Sequence, residues 1–298
     1  MNMKSIASVI FLVVVTSSCA QQKETFDMAT SFTFDTTDFD DGWKSTVQED
    51  WVEVARGNTK VLIHYPNERA DEYISVLIDG LTRAWDILIT PKYSSIDNFE
   101  LKPISSWESI EFAEADAVDK STGKIVYVVL FKKHTDNGKY LEFITADKNS
   151  FEREFGAYDD NESSSNWTEM AKMATSYNKF AVADSDLHGK WTNNFTGIQQ
   201  RVNAYTGFSE GMNTHSSAQT FEFSPGNTYT WNLDVSSGSV GNIKYQSVKS
   251  HGKFSIHDNW EVNFSDIEGK PRTYNASFSC VKGSRILWLD TTGFARID

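Results

Sequence analysis

A serine near the middle of the chain has the spacing of a hydrolase nucleophile. Residues 207–211 read Gly-Phe-Ser-Glu-Gly around Ser209, and Asp234 and His251 follow in an acceptable order for a serine hydrolase. That chemistry needs a buried strand before the serine and a helix after it, whereas residues 212–218 are polar and lead into a strand. We therefore assign no catalytic residue, and a hydrolase is the third and least favoured interpretation.

The remaining histidines and acidic residues do not form a metal-binding pattern. His251 and His257 would share one face of a strand, but six residues at about 3.3 Å each place them roughly 20 Å apart. No Cys/His zinc spacing is present, and no glycine-rich phosphate loop follows a predicted strand. The aspartates at 38, 40 and 41 lack the glycine and distal glutamate of a calcium loop and are interpreted as a solvated turn. We predict neither a metal nor a cofactor.

Cys19 offers a different chemistry, that of covalent lipid attachment. Lys4 precedes a largely apolar run at 6–15 and the small residues 16–18, which is the pattern of a secretory signal. Ten residues are too few to cross a bilayer as a helix, which takes about 20. The segment Val-Thr-Ser-Ser-Cys at 15–19 resembles a bacterial lipoprotein signal, with Thr16 departing from the usual leucine-like residue. The alternative is an ordinary signal peptide in which the cysteine occurs by chance.

The lipoprotein resemblance implies where the mature protein works. Cleavage before Cys19 would remove residues 1–18, palmitate and two further acyl chains would modify Cys19, and residues 19–30 would form a tether to the membrane. Ala20 follows the lipid site in place of an aspartate, which by resemblance favours the outer membrane of the bacterial envelope. The sequence does not say which face of that membrane the protein occupies.

The charge is divided unevenly along the chain. Residues 23–183 contain 30 Asp/Glu and 17 Lys/Arg, a net charge of −13, whereas residues 184–298 contain 11 and 10. This asymmetry predicts two units, at 31–183 and 184–298. It also argues against a nucleic-acid partner, because phosphates require a basic surface. We interpret the acidity mainly as a source of solubility, with binding of cations or of a basic partner as the alternative.

The first unit has the pattern of an α+β fold. Apolar residues at spacings of three and four predict a helix over 68–90, stopped by Pro91. The turn at 56–58 predicts a hairpin between strands at 51–55 and 60–65. Further strands are predicted at 31–34, 111–118, 125–133 and 140–145, with helices that begin near 147 and 166. The order of elements and the Phe-Asp-Asp-Gly-Trp stretch at 39–43 resemble the PsbP-like α/β/α sandwich family, whose members mostly bind or assemble.

The second unit changes to a period of two, which is typical of strands. Alternating aromatic and aliphatic residues, separated by Gly- and Asn-containing turns, predict about eight strands and therefore a barrel or a sandwich. The predicted strands include segments at 190–195 and 201–205. Cys280 alternates in phase with Phe278 and is predicted to be a buried, inert thiol. If Cys19 is lipidated, Cys280 has no disulfide partner.

Gly189 and Trp191 form a Gly-x-Trp motif on the first predicted strand of this unit. The motif resembles the first strand of the lipocalin-like (calycin) barrels, in which the tryptophan closes one end and packs on an arginine from a late strand. The resemblance implies that Arg285 is this arginine, with Arg296 as the second candidate. A guanidinium packs well on an indole ring in a dry setting. The Thr-Asp-Tyr segment of the main lipocalins is absent.

Six aromatic residues are predicted to face the barrel interior. An eight-stranded barrel holds either packed side chains or one small ligand, and both alternatives stay open. The six residues are Tyr229, Trp231, Trp260, Phe264, Tyr274 and Phe278.

These observations predict a non-enzymatic, membrane-anchored envelope lipoprotein. Its lipocalin-like barrel would bind a small apolar ligand or an envelope protein. The alternative is an envelope scaffold whose barrel is filled and whose acidic first unit is the contact surface.

Overall fold

A computed structural model describes residues 33–102, 110–135, 138–161, 163–202, 209–239 and 242–297. It contains an eight-stranded antiparallel sheet with flanking helices, followed by a closed barrel of eight antiparallel strands. The predicted α+β fold class with a C-terminal barrel is therefore confirmed. None of the described helices is long and apolar enough to cross a membrane.

The first unit is built on a sheet with the strand order β1-β2-β3-β4-β8-β7-β6-β5. The predicted hairpin is present, with β3 and β4 joined by a turn in which Gly57 adopts a φ of 59°. The elements in chain order are β1 (Thr36–Asp38), β2 (Lys44–Val47), β3 (Trp51–Arg56), β4 (Thr59–His64), α1 (Leu77–Leu88), β5 (Tyr93–Leu101), β6 (Ile110–Asp119), β7 (Ile125–Lys133), β8 (Leu141–Thr145), α2 (Lys148–Phe155), α3 (Ser165–Ser176) and α4 (Asp184–Leu187).

Helices cover both faces of this sheet. On one face, Trp85 of α1 belongs to a buried cluster that includes Ala113 and Leu130 of the sheet. On the other face, Trp167 of α3 stacks on Phe131, with ring centroids 6.0 Å apart. The two sets of buried side chains lie on opposite faces of the sheet because successive residues of a strand point to opposite sides. The result is a three-layer sandwich of helix, sheet and helix.

The helix predicted at 68–90 is shorter than its apolar spacing suggests. It begins at Leu77, and Tyr73 is 83% exposed. The reason is local, because the side-chain oxygen of Asn67 accepts hydrogen bonds from two following backbone amides and Asp71 accepts one from the amide of Asn67. Such side-chain bonds compete with the helical ones. The helix ends at Leu88, before Pro91, as predicted.

Three strands of the sheet, β1, β2 and β5, were not predicted. Strand β5 lies at the sheet edge, exposes most of its polar side chains and pairs with β6 through two register shifts, so it has no regular alternation. The N-terminal edge strand begins at Thr36, whereas the predicted strand at 31–34 lies outside β1 and partly outside the described residues. Edge strands face water on more than one side, which weakens their hydrophobic pattern.

The barrel closes in the order β10-β11-β12-β13-β14-β15-β16-β9. The segment predicted at 190–195 and residues 201–202 of the segment predicted at 201–205 belong to one long strand, β9, and residues 203–205 lie outside the described residues. The strands are β9 (Gly189–Val202), β10 (Ser209–Ser224), β11 (Thr228–Ser239), β12 (Asn242–His257), β13 (Glu261–Ile267), β14 (Lys270–Val281), β15 (Ser284–Leu289) and β16 (Thr292–Ile297).

Strands β9, β10, β11 and β12 extend beyond the part of the barrel that closes. Strand β16 pairs with β9 only at residues 190–192, and β13 pairs with β12 only at residues 254–257. Beyond these points β9, β10, β11 and β12 continue as a four-stranded sheet. We call residues 193–202, 209–219, 232–239 and 242–249 the open strands and the closed remainder the trunk.

The two units meet at the base of the trunk. The backbone of Phe180, in the connecting segment, exchanges two hydrogen bonds with Phe278 of β14, at 2.8 and 2.9 Å. Buried side chains from the sandwich and from the trunk form a single apolar cluster. The sandwich and the barrel therefore share a continuous core.

Candidate functional site

The interior of the trunk is occupied by aromatic side chains. Phe221 of β10 contacts Phe264 of β13 and Phe294 of β16, with ring centroids 5.1 and 5.3 Å apart. None of these strands is a neighbour of another in the barrel, so the contacts cross its interior. Tyr229 adds an edge-to-face contact with Phe264 at 4.8 Å. This packing supports a filled trunk at the level of Phe221.

The structure brings most of the predicted cavity residues together inside the trunk. Tyr229, Trp231, Phe264 and Phe278 are buried, and Tyr274 is half-buried against Phe264. These five side chains therefore pack in or against the apolar core.

Trp260 is a correction to the predicted set. It lies in the turn before β13, which begins at Glu261, and it is 38% exposed. Asp258 and Asn259 both adopt positive φ there, so the chain leaves the extended conformation and breaks the alternation that the sequence suggested.

The residues predicted to close the barrel lie at the base of the trunk. The indole of Trp191 packs on Phe278 at 5.6 Å and donates a hydrogen bond to the carbonyl oxygen of Leu187 at 2.7 Å. The buried Arg285 guanidinium lies 5.4 Å from the Phe278 ring centroid and 5.6 Å from that of Phe180. Phe278 therefore contacts both predicted partners, a role that the sequence did not indicate.

Gly189 and the second arginine candidate meet at the same end. Arg296 pairs with Trp191 in the ladder between β16 and β9. A Cβ atom at Gly189 would lie 3.3 Å from the Arg296 guanidinium, and Gly189 has a φ of 113°. A side chain at position 189 would therefore be strained and would displace Arg296. The closure roles of Gly189, Trp191 and Arg285 stay predictions.

Cys280 is a buried free thiol beside Arg285. Burial raises the pKa of Cys280 to about 11, against the opposing effect of the nearby guanidinium. The thiolate is the reactive form of cysteine, so a thiol with this pKa is inert near neutral pH.

The residues of the hydrolase interpretation do not come together. Ser209 begins strand β10, so no helix follows it, and Gly207 and Phe208 lie outside the described residues. His251 is in register with Glu222, thirteen residues along β10 from Ser209. At about 3.3 Å per residue, the two positions are roughly 40 Å apart. No nucleophile–base pair can form between them.

The open strands present apolar residues on the face that continues from the trunk interior. Cross-strand pairing places Phe195 and Val235 in one row, and Leu233 and Val248 in the next. Both rows share the face of Trp231. Leu233 and Val235 are half-buried, whereas Phe195 is 55% and Val248 39% exposed. Among the described residues, the inner face of the open strands thus continues from the core with four apolar side chains, which share their two rows with the polar residues Ser217, Gln246, Asn193 and Gln219.

The outer face of the same strands is mostly small and polar between its edges. The hydroxyl oxygens of Ser216 and Ser236 lie 2.7 Å apart at the floor of a groove of about 630 Å³, next to Ala218. Tyr245 and Ile243 stand exposed on this face, along the β12 edge. The two faces therefore differ in chemistry, and only the inner one joins the core.

Sequence analysis missed a row of buried ionisable groups in the sandwich. The fully buried Glu142 carboxylate accepts hydrogen bonds from the Tyr93 hydroxyl at 2.7 Å, from His64 at 2.9 Å and from the Lys92 ammonium. Burial alone would raise the pKa of Glu142, but Lys92 and His64 outweigh it and hold that pKa below its usual range. The available signal was Glu142 itself, a charged residue at a strand position that faces an apolar side of the sheet. There it pairs with Leu62.

Acidification is expected to destabilise the protein through His64. Burial lowers the pKa of the His64 imidazole below its ordinary value of 6.5, although Glu142 opposes that effect. Below pH 6.5 the unfolded chain gains a proton at this residue that the folded chain does not, so stability falls as the pH drops toward the folded pKa. One such group lowers the free energy of unfolding by at most about 1.4 kcal/mol per pH unit.

Urea denaturation at about pH 7.5 and about pH 5.5 measures this loss. Carboxylates ordinarily titrate at lower pH, so the difference between the two measurements reports on histidine. His64→Gln should remove most of the difference, whereas the exposed His257→Gln should retain it. Equal pH dependence in the two variants would contradict the assignment.

Three observations complete the comparison with the sequence predictions. Cys19 lies outside the described residues. Among the described residues, no three or more His, Cys, Asp and Glu side chains converge as a metal site would require. In comparisons with known proteins, no family model and no curated protein sequence matches the chain.

Proposed function

We propose that the protein is a membrane-anchored, non-catalytic envelope lipoprotein that holds an apolar ligand against the inner face of its open strands. The observation that carries this proposal is the continuation of the trunk's apolar face into a region where β13 to β16 no longer cover it. Phe195, Val235 and Val248 belong to this uncovered face.

The physical argument rests on the cost of exposing apolar surface. Each square ångström of apolar surface removed from water contributes about 25 cal/mol, so an uncovered apolar face favours a partner that buries it. Contiguous exposed apolar patches with polar rims commonly mark interaction sites. The filled trunk excludes a ligand enclosed at the level of Phe221 and makes that level the floor of the site.

Membrane attachment comes from the N-terminal signal. The lipoprotein resemblance at 15–19 places acyl chains on Cys19, and the short segment 19–30 would keep the protein close to the bilayer. The outer membrane is the proposed location. A ligand received or delivered at the membrane surface agrees with an apolar binding face. The resemblance of the barrel to the lipocalin-like group, and of the sandwich to the PsbP-like family, supports binding over catalysis.

A second candidate function is a scaffold that contacts another envelope protein. The filled trunk favours it, because aromatic packing across the barrel makes a rigid support. In this case the acidic first unit would supply the contact surface. The two candidates differ in whether a small apolar molecule binds the open strands.

A neutral lipophilic dye separates the two candidates. N-phenyl-1-naphthylamine should bind the purified protein with a rise in fluorescence, and Val248→Asp should weaken binding at least about tenfold, equivalent to roughly 1.4 kcal/mol. The carboxylate would stand on the inner face, where a bound ligand would remove it from water.

Ser247→Asp is the matched control, because it adds the same charge to the adjacent residue on the outer face. It should bind the dye like the wild type. Absence of dye binding by the wild type, or equal affinities for the two variants, would contradict the apolar site and favour the scaffold.

A further inference from the structure

We propose that a second cavity, in the sandwich, binds a small neutral molecule whose hydroxyl or N–H group donates a hydrogen bond to Nδ1 of His64. The cavity has a volume of about 590 Å³ and lies at the end of the sheet, against residues 66–80. Its lining residues Ala70, Leu88 and Tyr140 belong to the buried cluster on the α1 face of the sheet. The core shared with the trunk is on the other face, so this site is independent of the open strands.

His64 faces this cavity and has one ring nitrogen without a partner. Its Nε2 atom lies 2.9 Å from the Glu142 carboxylate, which also accepts from Tyr93 of the α1-side cluster, so the imidazole is on the α1 face. The His64 side chain is 4% exposed and lines the cavity. Within the described part of the chain, Nδ1 makes no hydrogen bond. It is therefore a polar atom at the cavity wall with unused hydrogen-bonding capacity.

The neighbouring carboxylate makes Nδ1 an acceptor. Burial would raise the pKa of Glu142, but Lys92 and His64 hold it below its usual range, so Glu142 is ionised and only accepts hydrogen bonds. Burial lowers the pKa of His64, although Glu142 opposes that effect, so the ring is neutral near pH 7. The single ring proton then lies on Nε2, between the two side chains, and Nδ1 keeps its lone pair. A ligand at this atom must supply the donor.

Most of the acidic and basic side chains that line the cavity already have partners. They form three pairs: Lys132 with Asp71, His134 with Glu111, and Glu72 with Arg83. Lys139 also borders the cavity, but the group that acts on its ammonium is Cys280, in the core on the opposite face of the sheet. An ion of either sign would lose its hydration in the cavity without gaining a partner, so the cavity favours a neutral ligand.

The segment that leads into α1 supplies apolar surface for the body of the ligand. Ile74 and Leu77 are half-buried at the cavity wall. Ligand cavities of roughly 300–1,000 Å³ combine such walls with a few fixed polar groups. His64 is held before a ligand arrives by its carboxylate partner and by an edge-to-face contact with Trp51 at 5.8 Å, which reduces the entropic cost of binding. The arrangement suits a phenol or an alcohol with an apolar body.

Nuclear magnetic resonance of the soluble Cys19→Ser chain, labelled with ¹⁵N at histidine, tests the proposal at the atom concerned. Phenol should shift the Nδ1 resonance of His64, and fluorobenzene, in which fluorine replaces the hydroxyl, should shift it much less. The absence of this resonance from His64→Phe identifies it. In calorimetry phenol should bind with an affinity of about 1 mM or tighter, and both fluorobenzene and the anion benzoate at least about fivefold more weakly.

Two further comparisons locate the site. His64→Phe keeps an aromatic ring but removes the acceptor, so it should bind phenol and fluorobenzene with equal affinity. Ile74→Trp enlarges a side chain of the cavity wall and should weaken phenol binding at least about fivefold. Val76→Trp is the matched control, because Val76 is exposed and does not line the cavity, and it should change nothing.

The outcomes are separable from those of the open-strand site. Val248→Asp should leave the shift of the His64 resonance unchanged, and Ile74→Trp should leave dye binding unchanged. Three results would each overturn the proposal: no shift of this resonance at about 10 mM phenol, equal affinities of the Cys19→Ser chain for phenol and fluorobenzene, or equal affinities of Ile74→Trp and Val76→Trp for phenol.

Discussion

Replacing Arg285 with alanine is expected to lower the free energy of unfolding by about 3–5 kcal/mol. The side chain is only 1% exposed, lies over the rings of Phe180 and Phe278, and donates a hydrogen bond to the carbonyl oxygen of Phe34. Truncation would leave a void among aromatic rings and the half-buried Phe34 carbonyl without this donor. Because Phe180 and Phe34 belong to the first unit, the loss would loosen the sandwich and the barrel together.

Urea denaturation followed by tryptophan fluorescence measures this effect. Arg285→Lys retains the charge but not the planar guanidinium, so it should lose an intermediate amount. Arg272→Ala removes an arginine that is half-exposed and should change stability by less than about 0.5 kcal/mol. A loss below about 1 kcal/mol for Arg285→Ala would refute its proposed part in closing the barrel.

Replacing Cys19 with serine is expected to move the protein from the membrane fraction to the soluble fraction. Each buried methylene of an acyl chain contributes about 0.8 kcal/mol, so loss of the chains removes the dominant attachment. The reason is chemical, since a serine hydroxyl does not replace the thiol as the site of lipid transfer. Fractionation of cells, with radiolabelled palmitate and intact-mass analysis, measures both attachment and modification.

Cys280→Ser makes the same atomic change at a buried position and should leave the protein labelled and membrane-bound. A Cys19→Ser protein that still sediments with membranes and releases only in detergent would show that the anchor lies elsewhere.

Much of the barrel could be predicted because its pattern is local. Alternation such as Tyr229 and Trp231 follows directly from the two-residue period of a strand, and turn residues mark the ends. The same reasoning failed at Trp260, where positive φ angles at the two preceding residues interrupt the period. Whether Trp260 faces the interior depends on the conformation of the turn before it. The sequence shows only that Trp260 is apolar and in phase with the strand.

The extent of each strand pairing could not be predicted. Strands β9 and β12 are long, but only the register shows that β16 and β13 accompany them for three and four residues. Register depends on contacts between segments far apart in the chain. The open strands, and with them the proposed binding face, are therefore a property of tertiary structure.

The junction and the ionisable row were hidden for the same reason. Phe180 lies in a connecting segment, and its pairing with Phe278 joins residues about 100 positions apart. Likewise, Glu142, His64 and Lys92 come from three separate elements. Each residue alone is unremarkable in a strand or turn, and only their convergence identifies a site.

Native mass spectrometry of the protein extracted from the membranes of the cells that produce it tests the central claim most directly. We predict that the wild-type protein carries an additional apolar molecule, released on organic extraction, and that the Val248→Asp protein carries at least about tenfold less of it while Ser247→Asp matches the wild type. A wild-type protein whose mass is fully accounted for by the polypeptide and the lipid on Cys19, with nothing further in the extract, would contradict the account.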